Sequence, residues 1–154
     1  SETVHAQYNV MFAKESINML DNIKNFMAIC PLLSEVDVNI NYLGEDVDNA
    51  AVESVSAEPV VKTYTDGGTI RQYFFAVALR QSFGQDAAAN NAAISLLEQI
   101  GNWIELQNKV GILPTLSSGQ SPISLEIFKT GWLDDNTTNT AKYQLQCRLV
   151  YYQD

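Results

Sequence analysis

The segment from Ile70 to Phe83, IRQYFFAVALRQSF, constrains the fold most strongly because its middle is apolar on both faces. Successive side chains of an extended strand point to opposite faces of the sheet. One face would carry Tyr73, Phe75, Val77 and Leu79, and the other Phe74, Ala76 and Ala78. A strand that is apolar on both faces is covered on both. The segment therefore predicts a central strand, covered by its own chain or by a neighbour.

Three further segments show the period-two pattern of half-buried strands. They are EVDVNINYLG, with its alternation from Val36 to Tyr42, and the two closing segments PISLEIFKTGWL and AKYQLQCRLVYYQ, joined by the loop DDNTTNT. Before the central strand, VVKTYTDGGT contains Asp66, Gly67 and Gly68, the residue types that supply the positive φ angles of a tight turn. This pattern predicts a hairpin.

Two segments have the spacing of amphipathic helices, residues 11–29 and 86–110. The apolar stripe of the first is Phe12, Leu20, Ile23 and Met27, and that of the second is Ile94, Leu97, Ile100 or Gly101, and Ile104. Pro31 ends the first helix, because the residue before a proline is pushed out of helical geometry. Asp86 is the expected N-cap of the second helix, and Gly111 its C-cap.

These elements predict an α+β fold, in which an antiparallel sheet of four to five strands has both helices packed on one face. A chain of 154 residues fits one domain, spanning residues 1–154. Residues 1–10 are expected to form an N-terminal arm. Residues 44–58, GEDVDNAAVESVSAE, show no clear period and are predicted to be a mobile loop.

The charge balance argues against two classes of partner. The formal net charge is −9, and lysines and arginines occur singly rather than in runs. Affinity for nucleic acid rests on basic side chains that displace counterions, so we expect no stable nucleic-acid binding and no membrane binding. No signal peptide or membrane span is expected from the sequence. Cys30 and Cys147 have no motif spacing, which favours two buried thiols over a disulfide.

Residue chemistry gives little support to an enzyme. The only histidine is His5, so a Ser–His or Cys–His nucleophile is not expected, and no cysteine has zinc-ligand spacing. The phosphate-binding loop motifs are absent, and EDVDN lacks the ligand spacing of a calcium loop. A carboxylate pair for acid–base work stays open, although no spacing singles one out. We expect no metal, no cofactor and no catalytic residues.

Aromatic residues offer candidates for a contact surface, since Trp, Tyr and Phe anchor protein interfaces. The candidates are Trp103, Trp132, Leu133, Tyr151, Tyr152, and the turn residues Asp66, Gly67 and Gly68. Trp103 has an equally strong alternative role, which is to close the core over its helix. Adjacent tyrosines of one strand point to opposite faces, so only one of Tyr151 and Tyr152 can reach the core.

Three stretches of the chain resemble a family of small tailed-bacteriophage proteins from phages and prophages of Gram-positive bacteria, the minor capsid or tail-terminator (head–tail joining) proteins. These stretches are TIRQYFFAVALRQSF, WIELQNKVGILPTL and TAKYQLQCRLVYYQ, all within about residues 60–153. In the last, Ala141, Tyr143, Gln144 and the final tyrosine pair match the A-x-Y-Q pattern and the aromatic ending of such proteins.

The resemblance implies a non-enzymatic ring subunit of the virion, usually hexameric, that caps the tail tube and joins it to the head connector. Its partners would be other copies of itself, the tail tube protein and head connector proteins. Assembly would take place in the cytoplasm of the bacterial host. Two alternatives stay open: another phage joining or capsid-associated protein, and a small-molecule-binding or enzymatic α+β domain of the bacterial cytoplasm.

Overall fold

The computed structural model describes residues 18–34, 38–40, 49–55, 60–82, 87–135 and 140–154. Two helices lie in these ranges: α1, whose described part covers residues 18–27, and α2, Ala87–Val110. A short 3-10 turn, Pro31–Leu33, follows α1. The strands are β1 Val38–Ile40, β2 Asn49–Val55, β3 Val60–Thr63, β4 Thr69–Ser82, β5 Gln120–Asp135 and β6 Thr140–Gln153.

The strands form one six-stranded sheet in the order β1-β2-β4-β6-β5, with β3 also paired to β4. All pairs are antiparallel except β1 with β2. The predicted α+β class, single domain and antiparallel sheet are confirmed, although the sheet has one strand more than the four to five predicted and one parallel pair, β1 with β2. A strand of three residues carries too little pattern to reveal its direction, because alternation alone is the same in both directions.

The predicted mobile loop at residues 44–58 is wrong in its centre, because residues 49–55 form β2. This strand pairs with β4 over seven consecutive positions, from Asn49 opposite Arg80 to Val55 opposite Phe74. Alanine has a low strand propensity, so the two alanines give the segment a weak strand signal. Its conformation is therefore set by pairing with β4 and not by the propensity of its own residues. The remaining residues of the predicted loop lie outside the described ranges.

Both helices bury the apolar stripes that their spacing predicts, as far as they are described. In α1, Leu20, Ile23 and Met27 are fully buried, and Phe12 lies outside the described residues. The helix ends at residue 27 rather than 29, and a turn leads to Pro31. In α2 the fully buried residues are Leu97, Ile100 and Ile104.

Gly111 ends α2 with the hydrogen bonds of a Schellman motif. The Gly111 N–H donates to the carbonyl of Asn108 at 3.2 Å, and the Ile112 N–H donates to the carbonyl of Gln107 at 2.8 Å. Gly111 has a φ of 81°, which glycine adopts without steric cost. The predicted C-cap is therefore confirmed, and the motif turns the chain sharply at the end of the helix. The predicted N-cap, Asp86, lies outside the described residues, as do the arm at residues 1–10 and His5.

The core lies between the two helices and one face of the sheet. Every second residue of β4 and of β6 points into this core. These residues are Phe75, Val77, Leu79, Tyr143, Leu145, Cys147, Leu149 and Tyr151. Cys30 and Cys147 are both buried free thiols, as the sequence indicated. Burial raises the pKa of each thiol, so both stay protonated at neutral pH.

The opposite face of the sheet, called the outer face below, is also buried at the centre of β4. Ala76 and Ala78 are 1 % and 0 % exposed, and Ala51 of β2 beside them is 0 % exposed. None of the three belongs to the core cluster between the helices and the sheet. Strand β4 is thus the central, doubly covered strand that its sequence predicts.

Candidate functional site

The turn between β3 and β4 brings the predicted contact residues Asp66, Gly67 and Gly68 to one end of the sheet. The Gly67 N–H donates to the Tyr64 carbonyl at 3.1 Å, and the Tyr64 N–H donates to the Gly68 carbonyl at 2.8 Å. Gly67 has a φ of 93°, and the Asp66 carboxylate accepts the Gly68 N–H at 3.0 Å. These bonds form a three-residue hairpin loop with a left-handed glycine.

Gly68 serves a different purpose from Gly67, because the Tyr152 ring packs directly over it. A Cβ atom at position 68 would overlap the Tyr152 hydroxyl and the neighbouring ring carbons. The rings of Tyr64 and Tyr152 lie 6.3 Å apart, and the Lys62 ammonium lies 4.9 Å from the centre of the Tyr64 ring. We call Lys62, Tyr64, Asp66, Gly68 and Tyr152 the hairpin cluster.

The electrostatics of the hairpin cluster keep the Tyr152 phenol neutral. Desolvation, followed by the negative charges of Asp66 and Asp154 and the nearby Tyr64, raises the pKa of Tyr152 above its ordinary value. A neutral phenol keeps its O–H as a hydrogen-bond donor, and its ring remains apolar contact surface. The cluster combines these properties at an exposed end of the sheet, since Tyr64 is 39 % exposed.

The other candidate contact residues are placed differently. Tyr151 points into the core and is 6 % exposed, so it offers almost no surface to a partner, while Tyr152 points to the outer face. Trp103 is half-buried, and its ring centre lies 5.2 Å from that of Phe26 in α1, so it joins the two helices. Trp132 and Leu133 lie in β5 opposite Gln144 and Tyr143, and their side chains fall outside the described part.

On the outer face, an ion pair crosses the central strand. The Lys142 ammonium of β6 lies 3.0 Å and 3.1 Å from the two carboxylate oxygens of Glu53 in β2. Strand β4 runs between β6 and β2 and contributes Ala76 and Ala78 to this face. Small side chains leave room for the lysine stem to cross, and apolar methylene groups can cover apolar surface. This crossing accounts for alanines that are buried on a face without a described helix.

A second region of the outer face is aromatic and exposed. Phe74 and Phe128 meet edge to face with ring centres 5.4 Å apart, and Phe128 is 65 % exposed. Beside them, the Arg148 guanidinium pairs with Glu126 at 2.6 Å and 3.2 Å and contacts the Gln72 amide at 3.4 Å. We call Phe74 and Phe128 the outer-face pair.

The segment after Trp103 also presents apolar surface, although not through the tryptophan. Leu106, Val110 and Ile112 are 54 %, 58 % and 48 % exposed. Leu106 and Val110 are four residues apart, so they are neighbours on the surface of α2. The following residues turn inward, because Leu113 and Leu116 pack against the core. We call Leu106, Val110 and Ile112 the helix-end patch.

Strand β5 forms an edge of the described sheet that is poorly suited to pairing with another chain. Its ladder with β6 has four register shifts, and Pro122 has no N–H to donate. The Leu125 N–H donates to the side chain of Asn108 in α2 at 2.9 Å. Irregular pairing and occupied edge amides are features that blunt an edge strand. Strand β5 is therefore a poor candidate for contact with another chain through backbone pairing.

Sequence reasoning named Trp103 as the contact candidate at this end of α2 but missed the exposed residues Leu106 and Val110, and it missed the outer-face pair. The signal was present, because Leu106 and Val110 fall outside the predicted core stripe of α2. Phe128 has opposite parity to Ile127, which packs on the core. Periodicity thus identifies large apolar residues that do not belong to the core, and those residues are candidates for contact with a partner.

Among the residues that the structure describes, no group of three or more His, Cys, Asp or Glu side chains could hold a metal ion. Neither helix, over its described residues, has the length and apolar character needed to cross a membrane. No protein family matches the sequence, and comparison with curated proteins finds no significant match.

Proposed function

We propose that this protein is a non-enzymatic virion assembly protein of a tailed bacteriophage, a ring subunit that caps the tail tube and joins it to the head connector. The resemblance of three stretches within about residues 60–153 to tail-terminator proteins suggests this role. The observation that carries it is the hairpin cluster, where candidate contact residues from the turn and from the end of β6 meet at one exposed point.

The composition of the hairpin cluster suits an assembly contact. Tyrosine is enriched among interface residues that contribute most to binding, because it combines a large ring with a hydrogen-bonding hydroxyl. Here two tyrosines are surrounded by Lys62, Asp66 and Asp154, which gives an aromatic centre with a charged border. Typical interfaces have such an apolar centre and polar rim.

The proposed partners are other copies of this chain, the tail tube protein and head connector proteins. A ring on the tube must also let DNA pass. A net charge of −9 favours a channel wall that repels phosphates rather than one that binds them. Titration of the purified protein with duplex DNA at physiological salt should therefore show no tight binding, and tight binding would contradict the proposal.

The experiment that tests the proposal is Tyr64→Lys in the virus that encodes the chain. Tyr64 is exposed, so the fold should remain intact by circular dichroism, while the new charge disrupts an apolar contact. We expect tails of abnormal length, or tails that do not join heads, in negative-stain images. A control is Ile29→Lys, which changes another exposed apolar residue, 58 % exposed against 39 % for Tyr64, distant in sequence from the cluster. Normal tails that carry the Tyr64 variant would overturn the proposed role.

A further inference from the structure

The hairpin loop between β3 and β4 contains the only Asp-Gly sequence of the chain, and the chain has no Asn-Gly sequence. Asp66 and Gly67 are both exposed, whereas Gly68 is buried beneath the Tyr152 ring. At an Asp-Gly sequence the glycine nitrogen can attack the carboxyl group of the aspartate, because the glycine has no side chain to obstruct the approach. The loop therefore has the residue types for a spontaneous change in its own backbone.

The fold brings the two reacting groups of this sequence together. The Asp66 carboxylate accepts the Gly68 N–H at 3.0 Å, which turns the carboxyl carbon toward the Gly67 peptide. A Cβ atom added to Gly67 would meet no other atom within 4 Å. The Gly67 nitrogen thus has a carboxyl group beside it and open space around it, and water can reach both groups.

One hydrogen bond opposes the reaction while the loop is closed. The Gly67 N–H donates to the Tyr64 carbonyl at 3.1 Å, and this nitrogen has to give up its proton when it forms a new bond. Because the loop is exposed, this bond opens at a low cost in free energy. The Tyr152 ring restrains the opening, since it packs on Gly68 at the end of the loop.

We propose that Asp66 is a site of isoaspartate formation in the free chain, through a succinimide that forms when the hairpin loop opens. The Gly67 nitrogen bonds to the carboxyl carbon of Asp66 and releases its proton to the solvent, and one carboxyl oxygen leaves as water. Water then adds to either carbonyl of the ring and breaks its bond to nitrogen. One cleavage restores Asp66. The other leaves a backbone that runs through the Asp66 side chain, with the former backbone carbonyl as a free carboxylate.

The product does not fit the closed loop. Isoaspartate adds one carbon to the backbone between Tyr64 and Gly68, which two hydrogen bonds now hold in a tight turn. The Tyr152 ring leaves no space beside Gly68 for a displaced backbone. The reaction therefore pulls the hairpin cluster apart. This inference goes beyond the proposed assembly role and does not depend on it.

The test follows Asp66 in the purified, folded chain during prolonged incubation below the unfolding temperature, in water enriched in heavy oxygen. Trypsin then releases residues 63–71, TYTDGGTIR, in which Asp66 is the only acidic residue. Chromatography with electron-transfer fragmentation separates and identifies the isoaspartate peptide. Asp21 of α1 is the internal control, since it is exposed but precedes Asn22 within a helix. We expect isoaspartate to form at least about tenfold faster at Asp66 than at Asp21, and to carry heavy oxygen taken up from the water.

Two variants of Tyr152 test whether opening of the loop controls the rate. Tyr152→Ala removes the ring from Gly68, so the loop should open more often and isoaspartate should form about threefold faster or more. Tyr152→Phe keeps the ring contact and should react at the wild-type rate. Circular dichroism verifies that each variant is folded.

Three results would overturn the inference. They are no more isoaspartate at Asp66 than at Asp21, an isoaspartate product without heavy oxygen, and a folded Tyr152→Ala variant that reacts no faster than Tyr152→Phe. The first removes the site, the second removes the succinimide route, and the third removes control by the Tyr152 contact. The proposed function is tested separately by tail length in the Tyr64 variant, so none of these results bears on it.

Discussion

The two faces of the sheet differ in how they are covered. The helix-covered face is filled by large apolar side chains, of which Phe75, Leu145 and Leu149 are 0 % exposed. The outer face has small alanines at its centre, crossed by the Lys142–Glu53 ion pair, and an exposed phenylalanine to one side. The first arrangement yields free energy of folding through apolar burial, whereas the second keeps apolar surface available to a partner.

The largest difference between the two faces is expected when neighbouring residues that point to opposite faces are truncated. Leu149→Ala should lower the free energy of unfolding by about 2–5 kcal/mol, because it leaves a cavity in the core. Val150→Ala, one residue further and only half-buried on the outer face, should cost less than about 1 kcal/mol. Urea denaturation of both variants measures the difference, and equal losses would contradict the division between the faces.

A smaller loss of stability is expected when a small residue at the centre of the outer face is replaced by a larger one. Ala78→Leu places a bulky side chain on β4 where the ion pair crosses, and overpacking of this kind costs about 1–3 kcal/mol. Gln144→Leu, a half-buried position opposite Ala78 on β6, serves as the control. If Ala78→Leu unfolds at the same urea concentration as wild type, the alanines are not required for the crossing.

The two outer-face ion pairs should differ in coupling energy. The side chains of Lys142 and Glu53 are 18 % and 24 % exposed, whereas those of Arg148 and Glu126 are 35 % and 47 % exposed. Double-mutant cycles with Lys142→Met and Glu53→Gln should give about 1 kcal/mol or more, since water screens this pair less. The cycle at Arg148 and Glu126 should give about 0.2–1 kcal/mol. The reverse order would show that burial does not set the strength of these pairs.

The smallest expected effect appears at alkaline pH. Burial of Tyr143 in the core raises the pKa of its phenol, so the unfolded chain loses this proton first as the pH rises. The unfolded state then binds fewer protons than the folded state, and stability falls above the ordinary tyrosine pKa of about 10. Tyr143→Phe should reduce this fall in a series of urea denaturations, provided that the variant folds. An unchanged slope would contradict the assignment to Tyr143.

Much of the fold could be predicted from particular patterns, and the failures have physical reasons. The alternation in β4 and β6 and the stripe in α2 are long enough to define both the element and its buried face. Strand β2 was missed because Ala50 and Ala51 blur the alternation, and pairing with β4 decides its structure. Periodicity also could not assign Trp103, because the neighbour that half-buries it, Phe26, lies in another helix.

The candidate site was predicted only in part. Local sequence predicts that Asp66, Gly67 and Gly68 form a tight turn. It also predicts that Tyr151 and Tyr152, as neighbours in one strand, point to opposite faces. Their meeting at one point depends on the register of β4 with β6, which places Ile70 opposite Tyr152. That register is set by packing over the whole length of both strands, so no short motif reveals it. Phe128 could have been recognised from its parity, because it falls on the opposite face from the core residue Ile127.

The two adjacent glycines of the hairpin should tolerate mutation in different ways. Position 67 requires a left-handed backbone with open space around it, so a saturation library should accept Asn or Asp there more readily than other replacements. Position 68 has an ordinary backbone, but every side chain would displace Tyr152, so the library should accept glycine alone while Tyr152 is present. Replacement of Tyr152 by a small residue should widen the choice at position 68 and leave position 67 unchanged. The same dipeptide therefore records a backbone constraint at one residue and a contact between distant parts of the chain at the next.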